Sequence, residues 1–368
     1  MEGLAAPAPT LMDTLCQVQF TFTDAIRKAQ GDALGMLGFG PAECGYDVIS
    51  SGPYWRLRKY RSADGYGSAD GQPSVLIVPA PIKRPYIWDL SPPVSAVRKC
   101  LDHHLRLYLL EWIPPAADGQ PAGLNEYAGV AISACVAKLT SEAEGAKPFI
   151  IGHSLGGTLA AIFCALEQQG AKGLVLLGAP VCFSPGSSSF RDALISLFPN
   201  GLPEMEIFPG SLLSQVSALA SPDTFIWARM RDAAASGIDL PAFDLRSRVE
   251  RWALDEMPLP GQFVADVFEL LYRENRFCKG TLSIHDRMLG PSCVQIPALA
   301  IVNTADEVAP LSSVRPFLDA MPIRETRIIE YSGEAGVGVQ HLAMLAGPQA
   351  HARIWPQIFS WLDAHHRP

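Results

Sequence analysis

The sequence contains little charge and no basic cluster. Asp, Glu, Lys and Arg make up 18% of its 368 residues, whereas hydrophobic residues make up 48%. This composition excludes an intrinsically disordered chain, which cannot bury enough apolar surface to fold. Lys and Arg number 29 against 37 Asp and Glu, and the sequence contains no run of basic residues. It therefore offers no basic stripe that could follow a phosphate backbone. We therefore expect a compact globular protein without a nucleic-acid partner.

Segments that direct a chain into or through a membrane are also missing. A membrane-spanning helix needs about 18 consecutive apolar residues, and the sequence contains no such run. Glu2 stands where a secretory signal carries Lys or Arg, and Pro7 and Pro9 interrupt any apolar core of such a signal. We expect no export, no transmembrane segment and a cytoplasmic location.

Paired metal-binding and redox motifs are absent as well. None of the eight cysteines forms a C-x-x-C pair, and no two histidines have the H-x-x-x-H spacing. Several cysteines lie in apolar segments, as Cys164 does. The sequence predicts buried free thiols in a reducing compartment, no metal site and no cofactor.

Strand-like and helix-like segments alternate from about residue 55 onward. Residues 55–60 alternate with period two, which is typical of an antiparallel or edge strand. Six further strand-like segments are residues 74–79, 105–110, 149–152, 173–178, 298–303 and 327–331. Residues 124–140 have helical spacing. This alternation predicts an α/β protein with a mostly parallel central sheet covered on both faces.

One long segment interrupts the alternation. Residues 181–290 are rich in Ser, Pro and aromatic residues and lack a long β-branched run. We expect a largely helical cap inserted over the C-terminal ends of the strands, with aromatic side chains that form an apolar acyl pocket. Residues 1–45 are typical of a helical N-terminal extension, which leaves residues 46–180 and 291–368 as the α/β core.

The motif GHSLGG at residues 152–157 follows a predicted strand and precedes a helical run. The G-x-S-x-G nucleophile motif requires this context, because its serine occupies a tight turn between strand and helix where only glycine fits at the flanking positions. A glycine-rich packing turn is the structural alternative. The context predicts Ser154 as a nucleophile.

A serine hydroxyl needs a base, and the base needs an orienting carboxylate. In folds with this motif the order along the chain is serine, acid, histidine, with the last two placed after late strands. Asp306 follows the strand-like segment 298–303, and His341 lies ten positions past the end of the last strand. We predict Asp306 and His341 as acid and base, with Glu307 as the rival acid.

An oxyanion hole should accompany these residues. The backbone N–H of Leu155, directly after the nucleophile, is the first predicted donor, and the loop after residues 74–79 supplies the second. Because Pro81 has no N–H, we predict Ile82 as the second donor.

Several segments resemble a known family. They are VPAPIKRPYIWDL at 78–90, LLEW at 109–112, EMPLPG at 256–261, YRENR at 272–276 and KG at 279–280. In these the sequence resembles polyhydroxyalkanoate synthases, from about residue 74 to 345, and in length it is most similar to the class III catalytic subunit. The resemblance implies an α/β-hydrolase fold and a Cys-Asp-His triad that polymerises hydroxyacyl-CoA thioesters.

Two positions depart from the family pattern. Ser154 stands where the family has its nucleophilic cysteine, and Glu307 follows the acid where a histidine is common. An acyl-serine is an oxygen ester that lies downhill from a thioester, so repeated loading of a growing chain is less favourable than on a thiolate. We expect a serine α/β-hydrolase or acyltransferase of the esterase, thioesterase or polyester depolymerase type, acting through an acyl-serine on hydroxyacyl esters or thioesters.

Two alternatives stay open. One is a polyester synthase that polymerises 3-hydroxyacyl-CoA with serine in place of cysteine. The other is an inactive relative that binds polymer granules or a synthase subunit. The expected partners are a hydroxyacyl ester or CoA thioester, a polyester granule or second synthase subunit, and a second copy of the chain in a homodimer.

Overall fold

A computed structural model describes residues 11–61, 71–116, 121–235, 239–334 and 336–366. The first ten residues, which belong to the expected N-terminal extension and were considered as an export signal, lie outside these ranges. No helix in the described ranges is long and apolar enough to span a membrane.

A central sheet of mostly parallel strands organises the molecule. The strands in chain order are β1 (Tyr46–Gly52), β2 (Trp55–Tyr60), β3 (Ser74–Val78), β4 (Asp89–Ser91), β5 (Val94–Ser95), β6 (Arg106–Trp112), β7 (Phe149–His153), β8 (Gly173–Leu177), β9 (Ile207–Phe208), β10 (Leu259–Pro260), β11 (Leu282–Ile284), β12 (Arg287–Leu289), β13 (Ala298–Asn303) and β14 (Thr326–Tyr331). Within the described ranges, eight of them form the sheet in the order β1-β2-β6-β3-β7-β8-β13-β14. Strand β2 is antiparallel to both neighbours, and the other neighbours are parallel. The predicted α/β fold and its seven predicted strands are confirmed.

The α-helices of the described ranges either cover the two faces of this sheet or belong to the N-terminal region and to the segment between β8 and β13. They are α1 (Leu11–Leu34), α2 (Ala96–Asp102), α3 (Ile132–Glu142), α4 (Leu155–Leu166), α5 (Ser189–Leu197), α6 (Gly210–Ala220), α7 (Ala228–Ala235), α8 (Leu240–Ala253), α9 (Gly261–Asp266), α10 (Arg276–Lys279), α11 (Arg315–Asp319), α12 (Ala343–Ala346), α13 (Pro348–Arg353) and α14 (Trp355–His366). Leu76 of β3 packs in one core with α3 and α4, whereas its neighbours Val75 and Ile77 pack in a second core with α2 and α14. Because both faces are covered, β3, β7, β8 and β13 are buried throughout, which explains their continuous apolar sequences.

Strand β1 is one element that the sequence did not predict. Its sequence, YDVISSG, combines three residues that favour strands with Asp, Ser and Gly, and its residues are exposed or half-buried. It is an edge strand that exists through its pairing with β2, interrupted by an irregularity between Val48 and Ser50. The segment has no sustained apolar run or alternation, so the pairing with β2 is needed to define it as a strand.

Residues 181–290, which we call the insertion segment, connect β8 to the region before β13. The described part of the segment contains α5 to α10 and the short pairs β9–β10 and β11–β12. Helix α1 packs against α6 and α8 of the segment. Arg27 of α1 donates two hydrogen bonds to the carboxylate of Glu256, at 2.7 and 2.8 Å, which fixes the N-terminal helix on the segment.

The cysteines correct one expectation. Cys182, at the start of the insertion segment, forms a disulfide with Cys278 of α10, so the prediction of free thiols is wrong for these two residues. Their Cα atoms are 5.0 Å apart although 96 positions separate them in sequence, and no local motif encodes such a contact. Among the cysteines whose side chains the structure describes, five others are free: Cys44, Cys100, Cys135, Cys164 and Cys293.

Candidate active site

Ser154 occupies the turn between β7 and α4. Its backbone has φ 53° and ψ −136°, a strained conformation for a residue with a side chain. Its N–H donates to the carbonyl of Leu177 in the neighbouring strand at 3.1 Å, which holds the turn against the sheet. The serine side chain is thereby presented beyond the end of the sheet, at the N-terminus of a helix.

Glycines beside Ser154 allow the turn to pack. A Cβ atom on Gly156 would lie 2.2 Å from the carbonyl oxygen of Val78, and one on Gly152 would lie 2.4 Å from the Cα of Gly157. Real Cβ atoms do not approach other atoms so closely. Gly156 is therefore required by the contact between the turn and the end of β3, and Gly152 by the tightness of the turn itself, as expected for a nucleophile motif.

Two hydrogen bonds connect Ser154, His341 and Asp306. The Nε2 atom of His341 is 2.7 Å from the Ser154 hydroxyl oxygen, and its Nδ1 atom is 2.6 Å from a carboxylate oxygen of Asp306. Because the carboxylate is an acceptor, Nδ1 donates and Nε2 remains free to accept the serine proton. Asp306 is 3% exposed, and its second oxygen accepts from the backbone N–H of Val308 at 2.9 Å.

Glu307, the rival acid, faces away from the histidine. Its carboxylate accepts hydrogen bonds from the hydroxyls of Ser221 and Thr224, the latter at 2.8 Å. Both partners belong to the insertion segment. The structure therefore pairs Asp306, not Glu307, with His341.

The sequence analysis did not predict two residues that position the loops of Asp306 and His341. Asn303, the last residue of β13, donates to the carbonyl of Gln340 at 2.8 Å and accepts from the N–H of Ala305 at 2.9 Å. It therefore joins the loop of Asp306 to the loop of His341. A polar residue at the end of an otherwise apolar buried strand was the available signal.

His153 is the second such residue, and it precedes Ser154 in the chain. Its Nε2 donates to the backbone carbonyl of His341 at 2.8 Å. Burial, together with the neighbouring His341, lowers the pKa of His153 to about 3, so its imidazole is neutral at pH 7. A neutral histidine can hold the loop of His341 without adding a positive charge beside it.

Ser154 and His341 line a cavity of about 410 Å³. Its wall is mostly apolar, and Leu155, Ile82 and several side chains of the insertion segment contribute to it, among them Phe190, Phe225, Trp252 and Phe263. The loop that carries Ile82 is fixed by Trp112, whose indole N–H donates to the carbonyl of Pro79 at 2.8 Å. The two predicted oxyanion donors thus belong to residues that border the same cavity as the serine.

The charged residues that line this cavity in the described ranges are all basic: Arg27, Lys83, Arg84 and Arg229. Lys83 donates to the carbonyl of Ala253 at 2.6 Å and lies 3.2 Å from Glu256. Burial lowers its pKa to about 8, against the opposing effect of Glu256. No group of three or more His, Cys, Asp or Glu side chains within the described ranges is arranged to hold a metal ion.

The parallel sheet, the turn at Ser154 and the order of the three linked side chains define a class of protein. Residues 87–330 match the family described as alpha/beta hydrolase fold, and the chain belongs to that family. An esterase, RhEst1, from a Rhodococcus species superimposes with a TM-score of 0.51 at 16% identity, over 87% of this chain and 98% of that chain. This likeness shows the fold alone.

Within that family the sequence is polyhydroxyalkanoate-synthase-like. It is 25% identical over 292 residues to the poly(3-hydroxyalkanoate) polymerase subunit PhaC of Haloarcula marismortui, over 78% of this chain and 60% of that protein. It is 22% identical over 359 residues to the subunit of the same name from Thiocystis violacea, over 95% of this chain and 97% of that protein. The chain therefore spans three fifths of the first relative's length and nearly all of the second.

Proposed function

We propose that the protein is a serine-dependent acyl-transfer enzyme that cleaves hydroxyacyl esters or thioesters through an acyl-serine intermediate. The pair of hydrogen bonds that links Ser154 to His341 and His341 to Asp306 carries this proposal. In such a triad the histidine takes the proton of the nucleophile, and the carboxylate orients and stabilises its ring. We assign Ser154 as nucleophile, His341 as general base and Asp306 as the orienting acid.

The first half-reaction starts at the Ser154 hydroxyl. As its oxygen bonds to the acyl carbon, its proton passes to Nε2 of His341, and Asp306 stabilises the imidazolium that forms. The negative oxygen of the tetrahedral intermediate accepts from the N–H groups of Leu155, in the first turn of α4, and Ile82. His341 then gives the proton to the departing alcohol or thiol, and the acyl group stays on the serine.

The second half-reaction depends on which hydroxyl attacks the acyl-serine. Water yields a free hydroxyacid, whereas the hydroxyl of another hydroxyacyl group yields a longer ester. In both cases His341 removes the proton of the attacking group and returns it to the serine oxygen. Because an oxygen ester is more stable than a thioester, loading from a thioester is downhill, and we propose hydrolysis as the principal outcome.

The wall of the cavity supports the substrate class. Its apolar side chains suit an acyl chain, and the insertion segment supplies many of them, which supports its role as a cap. Arg84 on the same wall supplies positive charge that suits the phosphate groups of CoA, whereas Arg229 donates to the carboxylate of Glu250 at 2.9 Å. Hydroxyacyl esters and CoA thioesters both fit this combination.

Polymer synthesis is a second candidate function. It is favoured by the names of the relatives and by the apolar cavity, since excluding water would leave a substrate hydroxyl as the available nucleophile. The third alternative is a relative that carries the three residues but is inactive and binds polymer granules or a synthase subunit. Labelling of Ser154 by a fluorophosphonate separates it from both enzymes, because an inactive serine is not labelled.

The test uses the full chain with 3-hydroxybutyryl-CoA. We expect release of CoA and free 3-hydroxybutyrate in equal amounts, without insoluble polyester. Ser154→Ala should lower the rate by at least about 10³, as expected when the nucleophile of a triad is removed. A fluorophosphonate should label the wild-type serine.

Ser196→Ala is the matched control, because its side chain is exposed and donates to the carbonyl of Asp192 at 2.8 Å. It should keep wild-type activity and labelling. Polyester formed faster than free acid would favour the synthase, and a chain that is neither labelled nor active would contradict both functions.

A further inference from the structure

Asp306 and Glu307 are neighbours in the chain but face different parts of the molecule. Asp306 contacts His341, whereas the Glu307 carboxylate accepts from Ser221 and Thr224 of the insertion segment. Ser221 ends helix α6, and Thr224 lies in the helical turn Asp223–Trp227 that follows it. Both hydroxyl-bearing residues are buried, so water cannot readily replace the carboxylate as their partner.

An apolar contact runs beside these hydrogen bonds. Val308, the next residue after Glu307, packs with Phe190 and Ala220, and the partly buried Phe225 and Tyr272 pack against this cluster. Val308, Phe190, Phe225 and Tyr272 also line the cavity. The loop that carries the acid and the end of α6 therefore form one continuous part of the cavity wall.

We propose that Glu307 is a positioning residue that fixes the end of α6 on the loop of Asp306 and thereby sets the shape of the acyl cavity. The inference rests on the proposed acyl-transfer function, and it gives Glu307 a role other than proton transfer. Hydrogen bonds to a carboxylate are stronger than neutral ones, and two of them converge on Glu307. Removing the carboxylate leaves two buried hydroxyls without this acceptor.

The first test compares a short and a long ester, p-nitrophenyl acetate and p-nitrophenyl octanoate. Glu307→Ala should raise KM for the octanoate roughly tenfold, the effect of losing a buried hydrogen bond. KM for the acetate should rise much less, because that acyl group does not reach the displaced wall. Asp306→Asn should instead lower kcat for both esters.

The partner side of the contact gives a second variant. Ser221→Ala combined with Thr224→Val removes both hydroxyls and should reproduce the change in KM. Adding Glu307→Ala to that pair should produce little further change, because all three substitutions remove the same contact. Glu330→Ala is the matched control, since its side chain is half exposed and lies 3.8 Å from Arg315 at the surface.

Hydrogen exchange supplies a readout that does not need activity. Amides of residues 210–227 should exchange faster in Glu307→Ala than in the wild type or in Glu330→Ala, because local opening of α6 becomes easier. Unchanged exchange, or an equal loss of kcat on both esters, would overturn the proposal. If the wild type hydrolyses neither ester, the acyl-transfer function fails, and the exchange experiment still decides whether Glu307 holds α6.

Discussion

At position 154 the side chain differs by one atom from the cysteine that the resemblance implies. Ser154→Cys keeps the contact with His341 but replaces the hydroxyl with a thiol that ionises far more readily. We expect faster exchange of the acyl group between the enzyme and CoA, because acyl-CoA and an acyl-cysteine are both thioesters and are close in free energy. We expect slower ester hydrolysis and no full synthase activity, since Glu307 and the insertion segment are unchanged.

Labelled CoA measures the exchange, and p-nitrophenyl acetate measures the hydrolysis. Ser154→Ala is the control, since it removes either nucleophile. Ester hydrolysis that rises in Ser154→Cys, or exchange that stays at the Ser154→Ala level, would contradict the prediction.

The site residues differ in how far they could be predicted from the sequence. Ser154, Asp306 and His341 could be predicted because the order of strands fixes where a nucleophile, an acid and a base must stand. Their contacts agree with that expectation, while their chemical roles stay predictions. Asn303 and His153 act through backbone carbonyls 37 and 188 positions away, and such contacts exist only after the loops have been placed.

At the scale of elements, the disulfide joins the two ends of the insertion segment. Cys182 lies near its start, and Cys278 lies in α10, near its end. The side chain of Asn275 reinforces the junction, because it accepts from the N–H of Phe183 and donates to the hydroxyl of Ser184, at 2.8 and 2.9 Å. Cross-linking residues 96 positions apart restricts the unfolded chain strongly.

Cys182→Ser combined with Cys278→Ser should therefore lower the free energy of unfolding by about 2–5 kcal/mol. Urea denaturation without reductant measures the change, and Cys293→Ser, which removes a half-buried free thiol, is the control. Reduction of the wild type should add two titratable thiols and lower its stability towards that of the double variant. Equal stability of the wild type and the double variant would contradict the prediction.

Elements with a strong local pattern were predictable, and elements placed by distant contacts were not. The buried strands show as apolar runs, because both of their faces are covered. The helices of the insertion segment carry no local sign of where they pack. Helix α1 is a clear case: its contact with the segment depends on Arg27 and Glu256, which are 229 positions apart.

At the scale of the whole molecule, two buried histidines link stability to pH. Burial lowers the pKa of His153 to about 3 and that of His351 to about 4. In the unfolded chain each would titrate near its usual value of about 6.5. Between these values the unfolded state binds more protons than the folded state, so the folded state loses stability as the pH falls from 7 towards 4.

His351 provides the test because it lies outside the candidate site. Its Nε2 donates to the carbonyl of Leu345 at 2.7 Å, and its ring stacks on Trp355. From pH 7 to pH 5 we expect each of the two histidines to remove about 2 kcal/mol from the free energy of unfolding. His351→Gln, whose amide can still donate to the carbonyl of Leu345, should be less stable at pH 7 but should lose about 2 kcal/mol less than the wild type over the same interval. Urea denaturation at both pH values measures the difference, and His365→Gln is the partly exposed control. Equal losses in His351→Gln and the wild type would contradict the prediction, because they would mean that folding does not lower the pKa of His351.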